Sequence, residues 1–142
     1  MAKAMTTAEV RDFLSAGTRT GKLATVRADG SPHVVPIWFV LDGDDLVFNT
    51  GADTVKGRAL ARDGRAALCV DEEAAPYAYV TVRGPVTITT DLADMRVWAT
   101  RIAERYMGPD LADGYGARNA VEGELLVRLR LEKVSGFTGV AD

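Results

Sequence analysis

Apolar positions recur along this chain in two rhythms, and the first steps by three or four residues. Val10, Phe13 and Leu14 share a helical face behind Thr6-Thr7-Ala8-Glu9, a capping-box spacing, and Gly17 ends that segment. Leu92, Met95, Trp98, Ile102 and Tyr106 keep the step for longer. They predict an amphipathic helix from Asp91 to Tyr106, ended by Gly108-Pro109. A shorter helix is expected from Val55 to Arg62, capped by Asp53-Thr54 and stopped near Gly64.

The second rhythm is that of strands. Lys22 to Ala28 and a return run from Pro32 through Val34, Val35, Ile37, Trp38 and Phe39 to Leu41 flank Asp29-Gly30, a hairpin signal. Pro36 within the return run places it at an edge or a bulge. Asp42-Gly43-Asp44 turns the chain into Leu46 to Thr50, and Ala66 to Asp71 follows the short helix. Tyr77 to Thr89 makes a long strand with a bulge or bend at Gly84-Pro85. Leu125 to Val134 alternates Val127, Leu129 and Leu131 with Arg128, Arg130 and Glu132. Gly108 to Val121, rich in Gly, Ala and Asp with Tyr115 between Gly114 and Gly116, reads as a long loop. Two readings of it stand side by side: a cover that orders over the substrate side of a filled cleft, or a mobile connection.

Short antiparallel strands joined by tight turns, with helices between some of them, indicate a closed or half-closed barrel. The expectation is an α+β fold of six or more mostly antiparallel strands and three or so short helices, forming one domain over residues 1–142.

Composition narrows the function classes. Hydrophobic residues make up 47% and charged residues 26%, which is enough to bury a core. A net charge of −3 gives no general attraction to nucleic acid. No apolar run reaches the ~18 residues of a membrane span, and the N-terminus lacks a secretory apolar stretch, so a cytoplasmic protein is expected. Cys69 and His33 are the only residues of their types. An internal disulfide and the usual zinc ligand sets are therefore excluded, and no metal is expected. The only lysines are Lys3, Lys22, Lys56 and Lys133, and the excess of arginine with Ala, Val, Gly and Asp suggests a GC-rich bacterial genome.

The most informative stretch runs from Asn49 to Arg58. A strand ends, Gly51 opens a turn, and a helix begins with free N–H groups beside Thr50, Thr54, Lys56 and Arg58. Helix starts attract phosphate through those donors and the macrodipole, although an ordinary solvated helix start has the same composition. Tyr77, Ala78 and Tyr79 open the long strand, with both tyrosines on one face by the two-residue period. They suit a wall against a planar ring, or packing in a core or interface. His33 is a proton donor or a surface residue beside a turn. Cys69 reads as buried and inert, Trp38 and Trp98 as core, and Asp71-Glu72-Glu73 as a solvated strand end. No nucleophile elbow, P-loop or dinucleotide fingerprint is present, which fits chemistry supplied by a cofactor.

In their order these features resemble the pyridoxamine-phosphate-oxidase-like split β-barrel superfamily, and its deazaflavin (coenzyme F420)-dependent branch. The resemblance runs from Gly21 to Val134. It is carried by Leu23 to Pro36, by Asp53-Thr54-Val55-Lys56-Gly57-Arg58-Ala59-Leu60, and by Ala66 to Asp71 leading into Tyr77 to Gly84. It implies a homodimer with two cofactors in clefts between protomers. It places the cofactor phosphate on Lys56, with Thr54 and Arg58 near. It lines the ring with His33, Pro36, Ile37, Trp38, Asn49 and Thr50, and brings Tyr77, Ala78 and Tyr79 from the partner chain. The chain ends Gly136 to Asp142 without the basic segment expected of a vitamin B6 oxidase, and has Thr54 where some F420-binding relatives carry arginine.

The function so implied is an F420-dependent oxidoreductase passing hydride from reduced F420 to an electron-poor small molecule. The alternatives are an FMN-dependent reductase or oxidase on the same barrel, and a non-catalytic carrier of flavin, deazaflavin or haem.

Overall fold

The computed structural model describes residues 1–142. Its elements are β1 (Lys3–Ala4), α1 (Thr7–Ser15), β2 (Gly21–Val26), β3 (Pro32–Ile37), β4 (Val40–Asp42), β5 (Asp45–Gly51), α2 (Val55–Asp63), β6 (Arg65–Glu72), β7 (Ala78–Thr89), α3 (Leu92–Met107), α4 (Pro109–Asn119), β8 (Glu124–Arg130) and β9 (Lys133–Thr138). Helix starts form where short polar side chains satisfy orphan N–H groups. Thr6 and Glu9 make the reciprocal capping box of α1, Thr54 caps α2 and Asp91 caps α3. Gly64 ends α2 in the left-handed region, φ 65°.

Every strand pair is antiparallel, and the main path runs β3-β2-β6-β7-β8-β5-β4, with β9 beside β7 and β1 beside β9. The long β7 is the pivot of the curl. Tyr79 to Arg83 pair with β9, and Val86 to Thr89 pair with β8. The change of partner falls at Gly84-Pro85, where a Cβ on Gly84 would stand 2.3 Å from the Arg130 carbonyl oxygen. The expected bend is therefore where one strand passes between two halves of a barrel.

The barrel is split, because β3 and β4 occupy opposite ends of the path yet are joined only by Trp38 and Phe39. The single return strand expected from Pro32 to Leu41 is thus two strands. Its alternation misleads because Ile37 and Phe39 are both buried across the break. What breaks it is distant in sequence. The Phe39 N–H donates to Tyr106 Oη at 3.3 Å, and Arg105 Nη1 donates to the Phe39 carbonyl at 2.8 Å. These side chains replace ladder partners for Phe39, so its N–H and carbonyl stay paired as the linker crosses the split. Pro36 lies on β3, an edge strand, as its missing N–H requires.

The expected run from Leu125 to Val134 also divides. The Leu131 N–H donates to the Asp44 carbonyl and Glu132 N–H to the Arg130 carbonyl, turning the chain between β8 and β9. Tyr77 lies before β7, at φ 66°, so strand periodicity does not put it on the face of Tyr79.

The largest correction is Gly108 to Val121, which is helix α4 and not a loop. Pro109 starts it, and its buried positions are Ala112 and Gly116, one helical repeat apart. A Cβ on Gly116 would come within 2.0 Å of Thr100 Oγ1 on α3. That glycine serves close helix packing, not flexibility. A stripe of small residues carries little hydrophobic signal, which is why the sequence reads as a connection.

The core fills the curl. Leu23, Leu68, Val70, Val80 and Val82 come from one half and Leu46, Phe48, Val127 and Leu129 from the other, with Leu14, Leu60 and Phe39 closing it. Burying each such side chain contributes about 1.5–3 kcal/mol. Outside the curl, Met95 and Trp98 of α3 pack on Val47 and Leu126, fastening the α3–α4 hairpin to β5 and β8. Trp98 is therefore core, whereas Trp38 is 36% exposed, because it sits at the split and not inside it. Cys69 is half-buried on the outer sheet face, with burial raising its thiol pKa. No helix is long and apolar enough to cross a membrane.

Candidate functional site

The split leaves a cleft of about 410 Å³, within the usual span of small-molecule sites. Pro36, Ile37 and Trp38 form one wall, where β3 runs into the linker. Asn49, Thr50 and Gly51 form the opposite wall at the end of β5, and Lys56 enters from the first turn of α2. Ile102, Ala103 and Asn119 of the helical hairpin close one side, with Thr20 and Glu124 completing the lining.

The β5–α2 junction is built tightly. Thr54 Oγ1 donates to the Gly51 carbonyl at 2.7 Å and accepts from the Gly57 N–H at 3.0 Å, while Thr50 Oγ1 lies 3.4 Å away. A Cβ on Gly57 would stand 2.2 Å from the Gly51 oxygen, so only glycine lets the helix start this close to the strand. With the Thr54 hydroxyl spent on Gly57, the N–H groups of Val55 and Lys56 remain the open donors of the turn. Helix polarity and the Lys56 ammonium add positive potential there.

Trp38 presents a flat wall braced from behind. Its ring stacks on Tyr106 with centroids 5.1 Å apart, and the edge of Tyr115 lies 6.3 Å away. The Asn49 amide donates to the Asn119 carbonyl at 3.2 Å, tying β5 to the end of α4. Burial raises the Tyr106 phenol pKa and lowers that of the neighbouring Arg105 guanidinium. Glu124 is the unusual member. Its Oε2 is buried with no hydrogen-bond partner, and burial raises its carboxyl pKa while the Lys56 charge opposes that.

Six residues singled out in the sequence meet in this cleft: Pro36, Ile37, Trp38, Asn49, Thr50 and Lys56. Thr54 shapes the junction without lining the cleft, and Arg58 is exposed outside it. His33 lies in register with Thr25 on β2, half-buried, with Nδ1 unpartnered and away from the cleft wall. Tyr77, Ala78 and Tyr79 line a separate depression with Cys69 and Val140. Sequence reasoning missed Thr20, Ile102, Ala103, Asn119 and Glu124. Ile102 was visible only as part of an apolar helical stripe, and Glu124 carries no motif.

An anionic, partly planar group suits these residues: a cation and open N–H donors at one end, a stacked indole at the other. The sequence from residue 6 to residue 137 matches the pyridoxamine 5'-phosphate oxidase family. The chain belongs to that family.

Its split barrel is the fold of this family's superfamily. Among solved structures, a conserved hypothetical protein from Mycobacterium tuberculosis superposes with a TM-score of 0.82 at 26% identity, covering 95% of this chain and 86% of that one. A protein described as an F420 reductase gives a TM-score of 0.70 at 29% identity, over 87% of this chain and 94% of that one. The haem storage protein HutZ of Vibrio cholerae gives 0.71 at 20% identity, over 90% and 92% of the two chains, a likeness of fold alone. No curated protein matches the chain by sequence.

Proposed function

We propose that this member of the pyridoxamine 5'-phosphate oxidase family is an F420-dependent oxidoreductase. The observation that carries the reading is Lys56: a half-buried cation on a helix start, opening into the cleft that Trp38 walls. The structural likeness to an F420 reductase at 29% identity over most of both chains supports the choice of cofactor.

When bound, reduced F420 supplies hydride to an electron-poor organic substrate. The chain's own part is to bind and orient. Lys56 and the first N–H groups of α2 hold the anionic tail, and Pro36, Ile37 and Trp38 flank the ring system. Asn49 and Thr50 offer hydrogen bonds along the opposite wall. The α3–α4 hairpin, through Ile102 and Ala103, keeps water from one side of the cleft.

The same proposal makes the protein a homodimer. The outer face of β2, β3 and β6 exposes Val34 (65%) and Val26 (46%), next to Ala24, Ala67 and Cys69. Such a face is better covered than wet. By the family resemblance, a partner copy would bring its Tyr77, Ala78 and Tyr79 toward the first protomer's cleft.

Titrating the purified protein with F420, FMN and haem tests the cofactor, and turnover of reduced F420 against a panel of electron-poor substrates tests the enzyme. Tight binding of F420 with substrate-dependent oxidation is the expected result. Preference for FMN moves the protein to a flavin enzyme, and tight binding with no turnover makes it a carrier.

A further inference from the structure

Glu124 and Lys56 face one cleft without forming an ion pair. Glu124 begins β8 in register with Gly51, the last residue of β5, and a Cβ on Gly51 would lie 3.4 Å from Glu124 Oε2. The carboxylate thus folds over the strand end from which the turn into α2 departs. Its Oε2 has no hydrogen-bond partner, so the Lys56 ammonium does not touch it, although both line the same space. A buried carboxylate oxygen left unsatisfied is costly. A simple anion drawn to Lys56 would meet this carboxylate as a like charge, and a simple cation would meet Lys56. A ligand carrying an anion and, a few bonds away, a hydroxyl or N–H donor satisfies both groups together.

We propose that Glu124 is a specificity-determining residue that accepts a hydrogen bond from a hydroxyl of a polyol phosphate chain whose phosphate lies on Lys56. This deepens the cofactor reading above and rests on it. A sugar-alcohol phosphate tail provides both groups, and the tails of FMN and F420 are of this chemical class. Haem carries carboxylates and no hydroxyl, and meets only the Lys56 half of the pair.

The test is a fluorescence or calorimetric titration of wild type, Glu124→Ala, Glu124→Gln and Lys56→Ala. The probes are FMN, riboflavin (the polyol without phosphate) and lumichrome (the ring without the polyol), together with F420 and its core lacking the phosphate tail. Glu124→Ala is expected to weaken FMN and riboflavin, or F420 and its core, by a similar factor of roughly ten- to hundredfold. It should leave lumichrome unchanged. Glu124→Gln, which keeps an acceptor, should lose less. Lys56→Ala should weaken only the phosphate-bearing probes. Unchanged affinity for riboflavin and FMN in Glu124→Ala, or an equal loss for lumichrome, overturns the role of Glu124 while leaving the cofactor reading standing. A wild type that binds none of these probes overturns both.

Discussion

Tyr106 lies flat against Trp38, ring planes 3° from parallel, while its hydroxyl donates to the Arg19 carbonyl at 2.9 Å and accepts the Phe39 N–H at 3.3 Å. One side chain from the end of α3 thereby fixes the wall of the cleft and the linker that crosses the split. Tyr106→Phe keeps the stack but leaves two backbone groups short of a partner. It is expected to cost about 1–3 kcal/mol in urea unfolding. Tyr106→Ala should cost about 3–5 kcal/mol, since it empties the space behind Trp38 as well. Equal stability of Tyr106→Phe and wild type would show that the hydroxyl bonds do not hold the linker.

Lys56→Ala should weaken F420 and FMN by about 1.5–3 kcal/mol, roughly ten- to hundredfold, through loss of one charge-assisted phosphate contact. Its circular dichroism and melting temperature should match wild type, because Lys56 makes no ion pair that the fold depends on. Binding that is indifferent to the substitution removes the phosphate from α2.

Two glycines of α4 should respond in opposite directions. Gly114→Ala meets open space and should stabilise the protein by about 0.5–1 kcal/mol, through helix propensity. Gly116→Ala drives a methyl group against Thr100 and should destabilise by about 1–3 kcal/mol. Thermal denaturation of the two variants reads the difference directly. A destabilised Gly114→Ala would mean that the segment is not helical in solution.

The Glu124 carboxyl makes stability depend on pH. Burial raises its pKa, so folding favours the protonated form, and this contribution is complete below the ordinary glutamate value of about 4.3. It is lost as pH rises through the raised value. The melting temperature of Glu124→Gln should therefore gain on wild type between about pH 4 and neutrality. A gap that stays constant over that range would place Glu124 in solvent.

If the outer face of β2, β3 and β6 covers a second copy, Val34→Asp should yield a folded monomer by light scattering at micromolar concentration. Loss of cofactor affinity in that monomer would tie the cleft to both chains. A wild type that is monomeric with cofactor bound would free the cleft from any partner.

What the sequence determined by itself is what neighbouring residues decide. The caps at Thr6 and Thr54, the left-handed stop at Gly64 and the bend at Gly84-Pro85 all stand where the local pattern puts them. Each depends on groups within a turn or on one glycine. Lys56 could be read the same way, since its position on a helix start follows from Asp53-Thr54 alone. The strand and turn pattern indicated a half-closed barrel, the family likeness added the site, and six of the twelve proposed site residues meet in one cleft.

Tertiary structure decided the rest, because there the partners come from far along the chain. The chain leaves the strand at Trp38-Phe39 because Arg105 and Tyr106 hold the Phe39 backbone. The segment after Gly108 is helical because Ala112 and Gly116 dock on α3, a contact between small residues that hydropathy cannot register. Glu124 enters the cleft because β8 pairs with β5, seventy-odd positions earlier in the chain, as their register shows. Its carboxylate acquires a role only from the desolvated place where that pairing sets it.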